Sequence, residues 1–241
     1  MLQYRDTIYN NYFTNQVNKQ KREYESMLAE QARHNGQEVL KFLPIDKNAK
    51  IVDLGCGFGT FVKPAIDAGY TNVSGYDISK EQVEVAHSLG IKEVQHLSIE
   101  AYFEKRESAD VVVGLDIIEH FTKDELVDFL QKVKATLKPG GKAIFRTPNM
   151  DAPQTSVYAY GDISHEVFLN KSSALQVMKA VGFTAVEVSG GLVYNTNPVK
   201  EFIRKVWWWK YKTLKKLILF ATARTWHNVV FEPNLLIVAQ A

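Results

Sequence analysis

Apolar runs separated by amphipathic segments predict alternating strands and helices along most of this chain. Seven short runs predict strands, at 51–54, 72–77, 93–98, 109–116, 143–149, 184–189 and 235–239. Segments with helical spacing lie between them, at 60–68, 81–89, 123–137 and 171–181. The unbroken apolar run in 109–116 is typical of a parallel strand that is covered on both faces. The pattern therefore predicts an α/β fold, with a mostly parallel sheet and helices on both of its faces.

Two segments lie outside this alternation. Residues 1–43 have an aromatic opening and then a charged helical pattern, in which Gly36 is expected to separate two helices. The aromatic residues of the opening are Tyr4, Tyr9, Tyr12 and Phe13. We expect a helical cap that covers an edge of the sheet or, alternatively, a lid that closes over a ligand. Residues 192–227 predict a basic, aromatic helical insertion before the last strand, so that the main domain is 44–241.

Composition narrows the class of protein. The chain has 241 residues, is 46% hydrophobic and carries a net charge of +2, which by itself indicates no partner. The single cysteine, Cys56, excludes a disulfide framework and favours a reducing, cytoplasmic setting. No apolar run approaches the roughly 20 residues that a membrane-spanning helix needs.

The first predicted strand runs into a turn of alternating glycines. Asp53 is followed by Gly55, Gly57 and Gly59, which gives the spacing D-x-G-x-G-x-G. A dinucleotide fingerprint would need its third glycine at Thr60, and no Gly-Lys-Ser/Thr follows as in a P-loop. Glycines allow the backbone to turn tightly and to approach a ligand closely. The helix that follows would point its N–H groups and positive dipole end at that ligand.

This motif resembles the first motif of the class I S-adenosylmethionine (SAM)-dependent methyltransferases. The resemblance implies a seven-stranded Rossmann-like sheet, SAM as the cofactor, and a turn that cradles its amino-acid end. It implies cofactor contacts from Asp53, Gly55, Cys56 and Gly57. Asp77 lies at the end of the second predicted strand, where a carboxylate can accept hydrogen bonds from both ribose hydroxyls.

The same resemblance implies further cofactor contacts beyond the first two strands. Ile78 would lie against the adenine, and the residues after the third strand, Ser98, Ile99 and Glu100, would flank it. Leu115, at the end of the fourth strand, completes the expected cofactor set.

The fourth predicted strand runs into Asp116-Ile117-Ile118-Glu119-His120. If a helical turn begins at Asp116, then Asp116, Glu119 and His120 occupy positions i, i+3 and i+4 and project from one face. Two carboxylates and an imidazole on one face predict either an acid–base cluster or half of a divalent-metal site. Ligands bind beyond the carboxyl ends of parallel strands, so the methyl acceptor is expected here as well.

His165 lies in a polar segment that is expected to cross over the strand ends. The surrounding residues 162–168 resemble the D-x-[ST]-H-x-x-x-F pattern of bacterial sugar and polysaccharide methyltransferases, with Phe168 one place early. An imidazole with its ordinary pKa can take a proton from a hydroxyl, so His165 is the expected catalytic base, supported by His120 and Glu119. A lone loop histidine can equally be structural.

A metal site is the other interpretation of these side chains. Carboxylate-x-x-Glu-His with a distant histidine resembles the metal site of small-RNA terminal 2′-O-methyltransferases, and its first part resembles ubiquinone-pathway O-methyltransferases. The resemblance implies that Asp116, Glu119, His120 and His165 hold Mg²⁺ or another divalent metal. The Glu-His pair also occurs in methyltransferases that need no metal.

The segment 198–226 is strongly basic, with eight Lys or Arg residues against Glu201, a charge of +7. On a helix its apolar residues share one face, and Trp207, Trp208 and Trp209 widen that face. A basic helix with clustered Trp suits an anionic membrane surface. It also suits a substrate pocket or oligomer contact, or, less well, a groove for nucleic acid. An insertion helix with solvated lysines is the simplest alternative.

These features together predict a SAM-dependent methyltransferase. We expect O-methylation of a hydroxyl on a sugar or on a lipid-linked polysaccharide, at the inner face of a membrane. The alternatives are a small-molecule O- or N-methyltransferase acting on a quinone or natural product, an RNA 2′-O-methyltransferase, and a SAM-binding module without catalysis. The oligomeric state stays open.

Overall fold

The computed structural model of the chain describes Ile8 and residues 21–241. The aromatic opening expected at Tyr4, Tyr9, Tyr12 and Phe13 lies outside the described residues. The strands are β1 (Ile51–Leu54), β2 (Val73–Asp77), β3 (Val94–His96), β4 (Ala109–Leu115), β5 (Leu137–Pro148), β6 (Thr184–Gly190) and β7 (Asn234–Gln240). The helices are α1 (Lys21–Val39), α2 (Val62–Asp67), α3 (Lys80–Ser88), α4 (Ile99–Glu104), α5 (Lys123–Thr136), α6 (Thr155–Ala159), α7 (Lys171–Val181) and α8 (Pro198–Ala221).

The seven strands form one sheet in the order β3-β2-β1-β4-β5-β7-β6. Neighbours among β1 to β5 are parallel, and β7 is antiparallel to both β5 and β6. This arrangement confirms the predicted α/β fold and its mostly parallel sheet. The chain order reverses between β1 and β4, so that crossover helices leave a crevice beyond the carboxyl ends of these two strands.

Successive strand residues contribute to two hydrophobic cores on opposite faces of the sheet. On β5, Ala143 and Phe145 pack in the core beneath α5 and α7, and Ile144 packs in the core beneath α1, α2 and α3. On β4, Val112 faces the first core while Val113 faces the second. The period of two explains why both faces need apolar side chains, and hence why the run at 109–116 is unbroken.

The expectation that Gly36 separates two helices is wrong. Helix α1 continues through Gly36 to Val39. A Cβ on Gly36 would lie 3.0 Å from Cβ of Pro64, which is in α2. The glycine therefore allows α1 and α2 to pack closely, and this contact compensates for the low intrinsic helix propensity of glycine.

Strand β5 begins earlier than the predicted 143–149. It starts at Leu137, which pairs with Ala109, and the register then shifts so that Val111 pairs with Lys142. The extra residues of β5, among them Gly140 with a φ of 76°, form an irregularity between these two pairs. The Pro-Gly-Gly sequence that predicts a turn is thus accommodated inside the strand.

A buried ion pair joins the cap to the sheet. The Arg146 guanidinium donates from Nη1 to Oε2 of Glu38 at 3.0 Å and to Oδ1 of Asn35 at 2.7 Å. The other oxygen of Glu38 accepts a hydrogen bond from the Leu192 amide at 2.6 Å. Glu38 is 1% exposed, so this pair holds α1, β5 and the chain before α8 together away from water.

We expect Glu38→Ala to lower the free energy of unfolding by about 3 kcal/mol, because it leaves the Arg146 charge buried without one of its carboxylates. Urea unfolding would measure this loss. The matched control is Glu25→Ala, since Glu25 is an exposed glutamate on the same helix, and a change within about 0.5 kcal/mol is expected there. Equal losses in both variants would contradict the structural role given to Glu38.

Candidate active site

A cavity of about 440 Å³ opens where β1, β2 and β4 end. Its walls come from the glycine turn, the end of β2, the start of α4, the chain after β4 and one residue of α1. The lining of this cavity includes Gln31, Gly55, Cys56, Gly57, Asp77, Ile78, Ile99, Glu100, Leu115, Asp116 and His120. The crevice expected from the strand order is therefore present in the structure as this cavity.

The glycine turn is held in place by the end of β2. Gly55 and Gly57 have φ angles of 72° and 56°, in the left-handed region that favours glycine. The Asp77 carboxylate accepts hydrogen bonds from the Gly57 amide at 2.7 Å and from the Ser79 amide at 2.8 Å. Burial raises the pKa of Asp77, and these two hydrogen bonds oppose the rise. Ser79 caps α3 by accepting from the Gln82 amide.

A second cavity of about 320 Å³ adjoins the first around Gly55, Cys56 and Thr60. Asp53 and Arg146 line only this second cavity. Asp53 is 2% exposed, and its Oδ1 has no hydrogen-bond partner among the described residues. Burial raises the pKa of Asp53 well above its ordinary value; the charge of Asp77 adds to the rise and that of Arg146 opposes it. A buried, unsatisfied carboxylate at a cavity wall fits a cationic ligand group such as an ammonium.

Helix α1 contributes polar side chains to the site, and the sequence pattern did not single out these residues. Gln31 lines both cavities, His34 lines the second, and Asn35 donates from Nδ2 to Oγ1 of Thr60 at 3.0 Å. The cap therefore does more than cover an edge of the sheet. Its polar face forms a wall beside the glycine turn.

The cofactor residues expected after the glycine turn line the first cavity, with the exception of Ser98. Ile78, Ile99, Glu100 and Leu115 line the first cavity. Ser98 does not line it, because its hydroxyl caps α4 by accepting from the Ala101 amide at 3.1 Å. Cys56 lines both cavities, and burial raises the pKa of its thiol well above the ordinary value, which excludes a thiolate nucleophile at neutral pH.

The helical turn expected to begin at Asp116 is absent. Asp116 has a φ of 56°, and a short 3-10 turn spans Ile118–His120 instead. The Asp116 carboxylate pairs with Arg146, which donates from Nε at 3.0 and 3.1 Å. The Asp116 carboxylate is therefore engaged by Arg146, although its charge still acts on Glu119 and His120. Asp116 thus lies outside the group that these two residues form, contrary to the metal set inferred from the sequence.

Glu119, His120 and His165 do come together. One ligand atom from each lies within 4.8 Å of the others. The carbonyl of Glu119 accepts hydrogen bonds from the amides of Glu166 at 2.8 Å and Val167 at 3.0 Å, which ties the 3-10 turn to the segment after His165. The two imidazole rings meet edge to face with centroids 4.8 Å apart. His120 lines the first cavity, and His165 does not.

Glu119 is buried behind the histidines. It is 2% exposed, and its Oε2 has no hydrogen-bond partner among the described residues. Burial raises the pKa of Glu119 well above its ordinary value, and the nearby charge of Asp116 raises it further. The protonated carboxyl is therefore favoured, unless a cation binds there and reverses this preference.

Two residues of the pattern around His165, Asp162 and Ser164, orient His120 rather than His165. The Ser164 hydroxyl donates to Oδ1 of Asp162 at 2.6 Å, and Nδ1 of His120 lies 2.9 Å from the Ser164 oxygen. Because the single serine proton goes to the carboxylate, Nδ1 of His120 must be the donor in its own bond with Ser164. Nε2 is then the unprotonated nitrogen. Burial, followed by the charge of His165, lowers the pKa of His120 to about 4, so the imidazole is neutral at pH 7.

His165 is held in the same way. Its Nδ1 lies 3.0 Å from the carbonyl oxygen of Ala159, which can only accept, so Nδ1 carries a proton. Both rings are therefore oriented by a hydrogen bond from Nδ1, and both lie beside Glu119.

Comparison with known proteins decides the family. The model of a family described as "Methyltransferase domain" matches residues 24–188, more than half of the chain. The chain belongs to this methyltransferase family.

The most similar proteins agree with this assignment. The chain is 26% identical over 179 residues to a ubiquinone biosynthesis O-methyltransferase of Methylobacterium nodulans, covering 68% of this chain and 70% of that protein. It is 26% identical to a tRNA U34 carboxymethyltransferase of Idiomarina loihiensis, covering 71% of this chain and 55% of that protein. The solved structure of a SAM-dependent methyltransferase from Archaeoglobus fulgidus has the same fold, with a TM-score of 0.65, 17% identity and coverage of 97% of this chain and 100% of the other. The protein is a SAM-dependent methyltransferase enzyme.

The residues of the two cavities fit the SAM of this methyltransferase. Asp77 and Ile78 suit the ribose and adenine, and the unsatisfied Asp53 carboxylate suits the amino group of the methionine end. A Cβ on Gly57 would lie 2.7 Å from Oε1 of Gln82, which can move aside, so the φ of 56° is the stronger reason for glycine at this part of the turn.

We expect Asp77→Ala to weaken SAM binding by the methyltransferase about 10- to 100-fold, which is the loss of one or two hydrogen bonds to a charged group. Calorimetric titration with SAM would measure it, and NADH titrated alongside should not bind. Asp67→Ala, an exposed aspartate on α2, is the matched control. Unchanged affinity in Asp77→Ala would remove the ribose assignment, and NADH binding in place of SAM would remove the cofactor assignment.

We expect His120 of the methyltransferase to carry its proton on Nδ1, because Ser164 accepts from that atom. Nitrogen-15 NMR of the imidazoles, assigned with His120→Gln, distinguishes the two tautomers. Ser164→Ala should move the proton toward Nε2, whereas Ser164→Thr should keep it on Nδ1. Ser173→Ala, which removes a hydroxyl at the start of α7, should have no effect. A wild-type signal from the Nε2–H tautomer would contradict the Asp162–Ser164–His120 arrangement.

Proposed function

We propose that this methyltransferase transfers the methyl group of SAM to a hydroxyl oxygen. The observation that supports O-methylation is the placement of two imidazoles, His120 and His165, edge to face with each other, with His120 on the wall of the cofactor cavity. A hydroxyl must lose its proton as its oxygen is methylated, and a neutral imidazole is the side chain that takes this proton near pH 7.

When bound, SAM supplies a methyl group that is already activated by its positive sulfur. The chain must then orient the acceptor and take up its proton. His120 is the residue of the pair that lines the cavity, so we assign it first contact with the acceptor hydroxyl. Its low pKa makes it a weak base. His165, whose ring meets that of His120, is proposed to share the proton, which keeps the catalytic role that its sequence context favours.

The acceptor is proposed to be a small molecule with a ring hydroxyl. The name of the relative from Methylobacterium nodulans supports a quinone-type acceptor over a polysaccharide. The pattern around His165 is what supports a glycan acceptor, and the tRNA-modifying relative is what supports nucleic acid. A panel of dihydroxybenzenes, free sugars and short RNAs, with S-adenosylhomocysteine release as the readout, would rank these three classes.

A divalent metal is a second proposal for the same group. The buried, unsatisfied Oε2 of Glu119 and the two histidines form a mixed carboxylate and imidazole donor set, which suits metals such as Zn²⁺, Fe²⁺ or Mn²⁺ better than Mg²⁺. A metal there would be held by Glu119, His120 and His165 without Asp116 and would lower the pKa of a bound hydroxyl.

We also propose that the enzyme works at a membrane surface. The support is the charge of +7 between 198 and 226 together with the Trp residues of α8. None of the helices within the described residues is long and apolar enough to cross a bilayer.

We expect His120→Ala and His165→Ala each to lower kcat by about 100- to 10,000-fold while SAM affinity stays within about twofold, because both act on the acceptor proton. Steady-state kinetics with the best acceptor of the panel would measure this. His87→Ala, which removes an imidazole that bonds the Val94 carbonyl, is the matched control and should keep full turnover.

The same assay separates the two roles of the histidines. If turnover survives dialysis against EDTA and does not rise with added Mn²⁺ or Zn²⁺, the metal proposal is removed and the proton-transfer role stands. Full turnover in both histidine variants would remove the catalytic role altogether.

A further inference from the structure

Helix α8 contacts the protein through its polar and aromatic side. The residues of this side are half-buried and recur every three or four positions: Glu201, Arg204, Trp208, Tyr211 and Lys212. Trp208 donates from Nε1 to Oε1 of Glu232 at 3.3 Å, and Lys212 pairs with the same oxygen at 3.5 Å. The ring of Tyr211 meets that of Phe231, which is buried, with centroids 6.4 Å apart.

The opposite side of α8 is mostly apolar and faces away from the protein, with the exposed Lys210 and Thr213 interrupting it near the middle of the helix. Large hydrophobic residues recur along it at helical spacing and are 36–70% exposed. They include Val199, Phe202, Ile203, Val206, Leu217 and Phe220. Within the described part of the chain, no residue of α8 is buried.

This orientation reverses the usual one for a surface helix. The apolar stripe of such a helix ordinarily faces the core, and its charged side faces water. Along the 24 residues of α8 the ion pairs instead face the protein, and the apolar stripe faces outward. Large exposed apolar side chains that recur along one face of a long helix mark an interaction site.

The charges beside the stripe indicate the partner. Lys205 and Lys216 lie on one flank next to Trp209, and Lys200 lies on the other flank next to Trp207, at 100° per residue. Trp at the boundary of an apolar stripe, with lysines beside it, matches the headgroup level of an anionic leaflet, where the rings anchor and the ammonium groups meet phosphates. A second copy of α8 would bring the same positive flanks together, which disfavours dimerisation through this face.

We propose that α8 docks flat on an anionic lipid bilayer, with its outward stripe in the headgroup region and its polar side holding the enzyme. The docking itself does not depend on the acceptor; its value to catalysis rests on the proposed function. The first turn of α8 is tied to the site, because Glu201 accepts from the Asn195 amide at 2.8 Å, and the neighbouring Tyr194 stacks on His34 with centroids 5.8 Å apart. His34 and Gln31 line both the cavity at Tyr194, of about 430 Å³, and the one at Asp53. Docking of α8 would therefore bring the cavity at Tyr194 close to the leaflet.

Vesicle flotation tests the proposal without any acceptor. The full chain is mixed with phosphatidylcholine vesicles, with or without phosphatidylglycerol. We expect it to float with the phosphatidylglycerol vesicles, less at high salt, and poorly with phosphatidylcholine alone. Phe202→Glu combined with Leu217→Glu should reduce the floating fraction at least tenfold, and Lys205→Glu combined with Lys216→Glu should reduce it on anionic vesicles.

The matched control is Ile45→Glu combined with Val127→Glu, which places the same charges on exposed apolar residues elsewhere and should leave flotation unchanged. No flotation of the wild type, or equal flotation of the Phe202/Leu217 variant, overturns the proposal. A wild type that forms a dimer in sedimentation and becomes a monomer in that variant without floating also overturns it, in favour of a second copy, and binding of an RNA oligomer in place of vesicles overturns it in favour of nucleic acid.

SAM titration of the same samples separates this proposal from the proposed function. If the wild type and all variants bind SAM but none floats, the docking fails and the methyltransferase assignment stands. If the protein floats but does not bind SAM, the docking stands and the proposed reaction fails.

Discussion

A buried guanidinium on β5 determines how the parts of this protein meet. Arg146 is 9% exposed and hydrogen-bonds Asp116, Glu38 and Asn35, which come from the chain after β4 and from α1. Although burial opposes its charge, Asp116 and Glu38 raise the pKa of Arg146 above its ordinary value. A buried cation needs its carboxylates close by, so the cap and the end of β4 must both approach the same point on the sheet.

This requirement shapes the electrostatics of the active site. Arg146 binds the Asp116 carboxylate and lowers the pKa of Asp53 and Glu119, whereas burial raises both pKa values. Asp53 and Asp116 thus share a cavity with Arg146, whereas the Glu119 carboxyl lies with the two imidazoles. Two chemically different regions arise beside one glycine turn.

The sequence was sufficient for most of the fold and for the outline of the cofactor site. Apolar runs locate β1, β4 and β7, because a strand that is covered on both faces needs apolar side chains at nearly every position. The glycine spacing and Asp77 can be identified because each meets a local backbone requirement, a positive φ at Gly57 and an acceptor for its amide. Asp116 could not be placed, because its left-handed conformation depends on the distant Arg146. The continuity of α1 through Gly36 depends in the same way on Pro64.

The orientation of side chains was the harder problem. Periodicity shows that α8 has an apolar side, but it carries no information about which side meets the protein; the contacts of Trp208 and Lys212 with Glu232 decide that. Likewise, no spacing links Ser164 to His120, since their contact is made across 44 residues of chain. Tertiary contacts of this kind set the direction of a side chain and hence its chemistry.

A positive charge of either of two kinds would stabilise the group formed by Glu119, His120 and His165. Ligand atoms of two imidazoles and a carboxyl lie within 4.8 Å of one another, and lone pairs brought this close repel one another unless something positive lies between them. A proton retained by the buried Glu119 or taken from an acceptor provides that charge, and so does a divalent metal. The base and metal interpretations therefore share one physical origin. The buried position of Glu119 is what makes the group ready to receive a cation of either kind, because water is not there to screen the lone pairs.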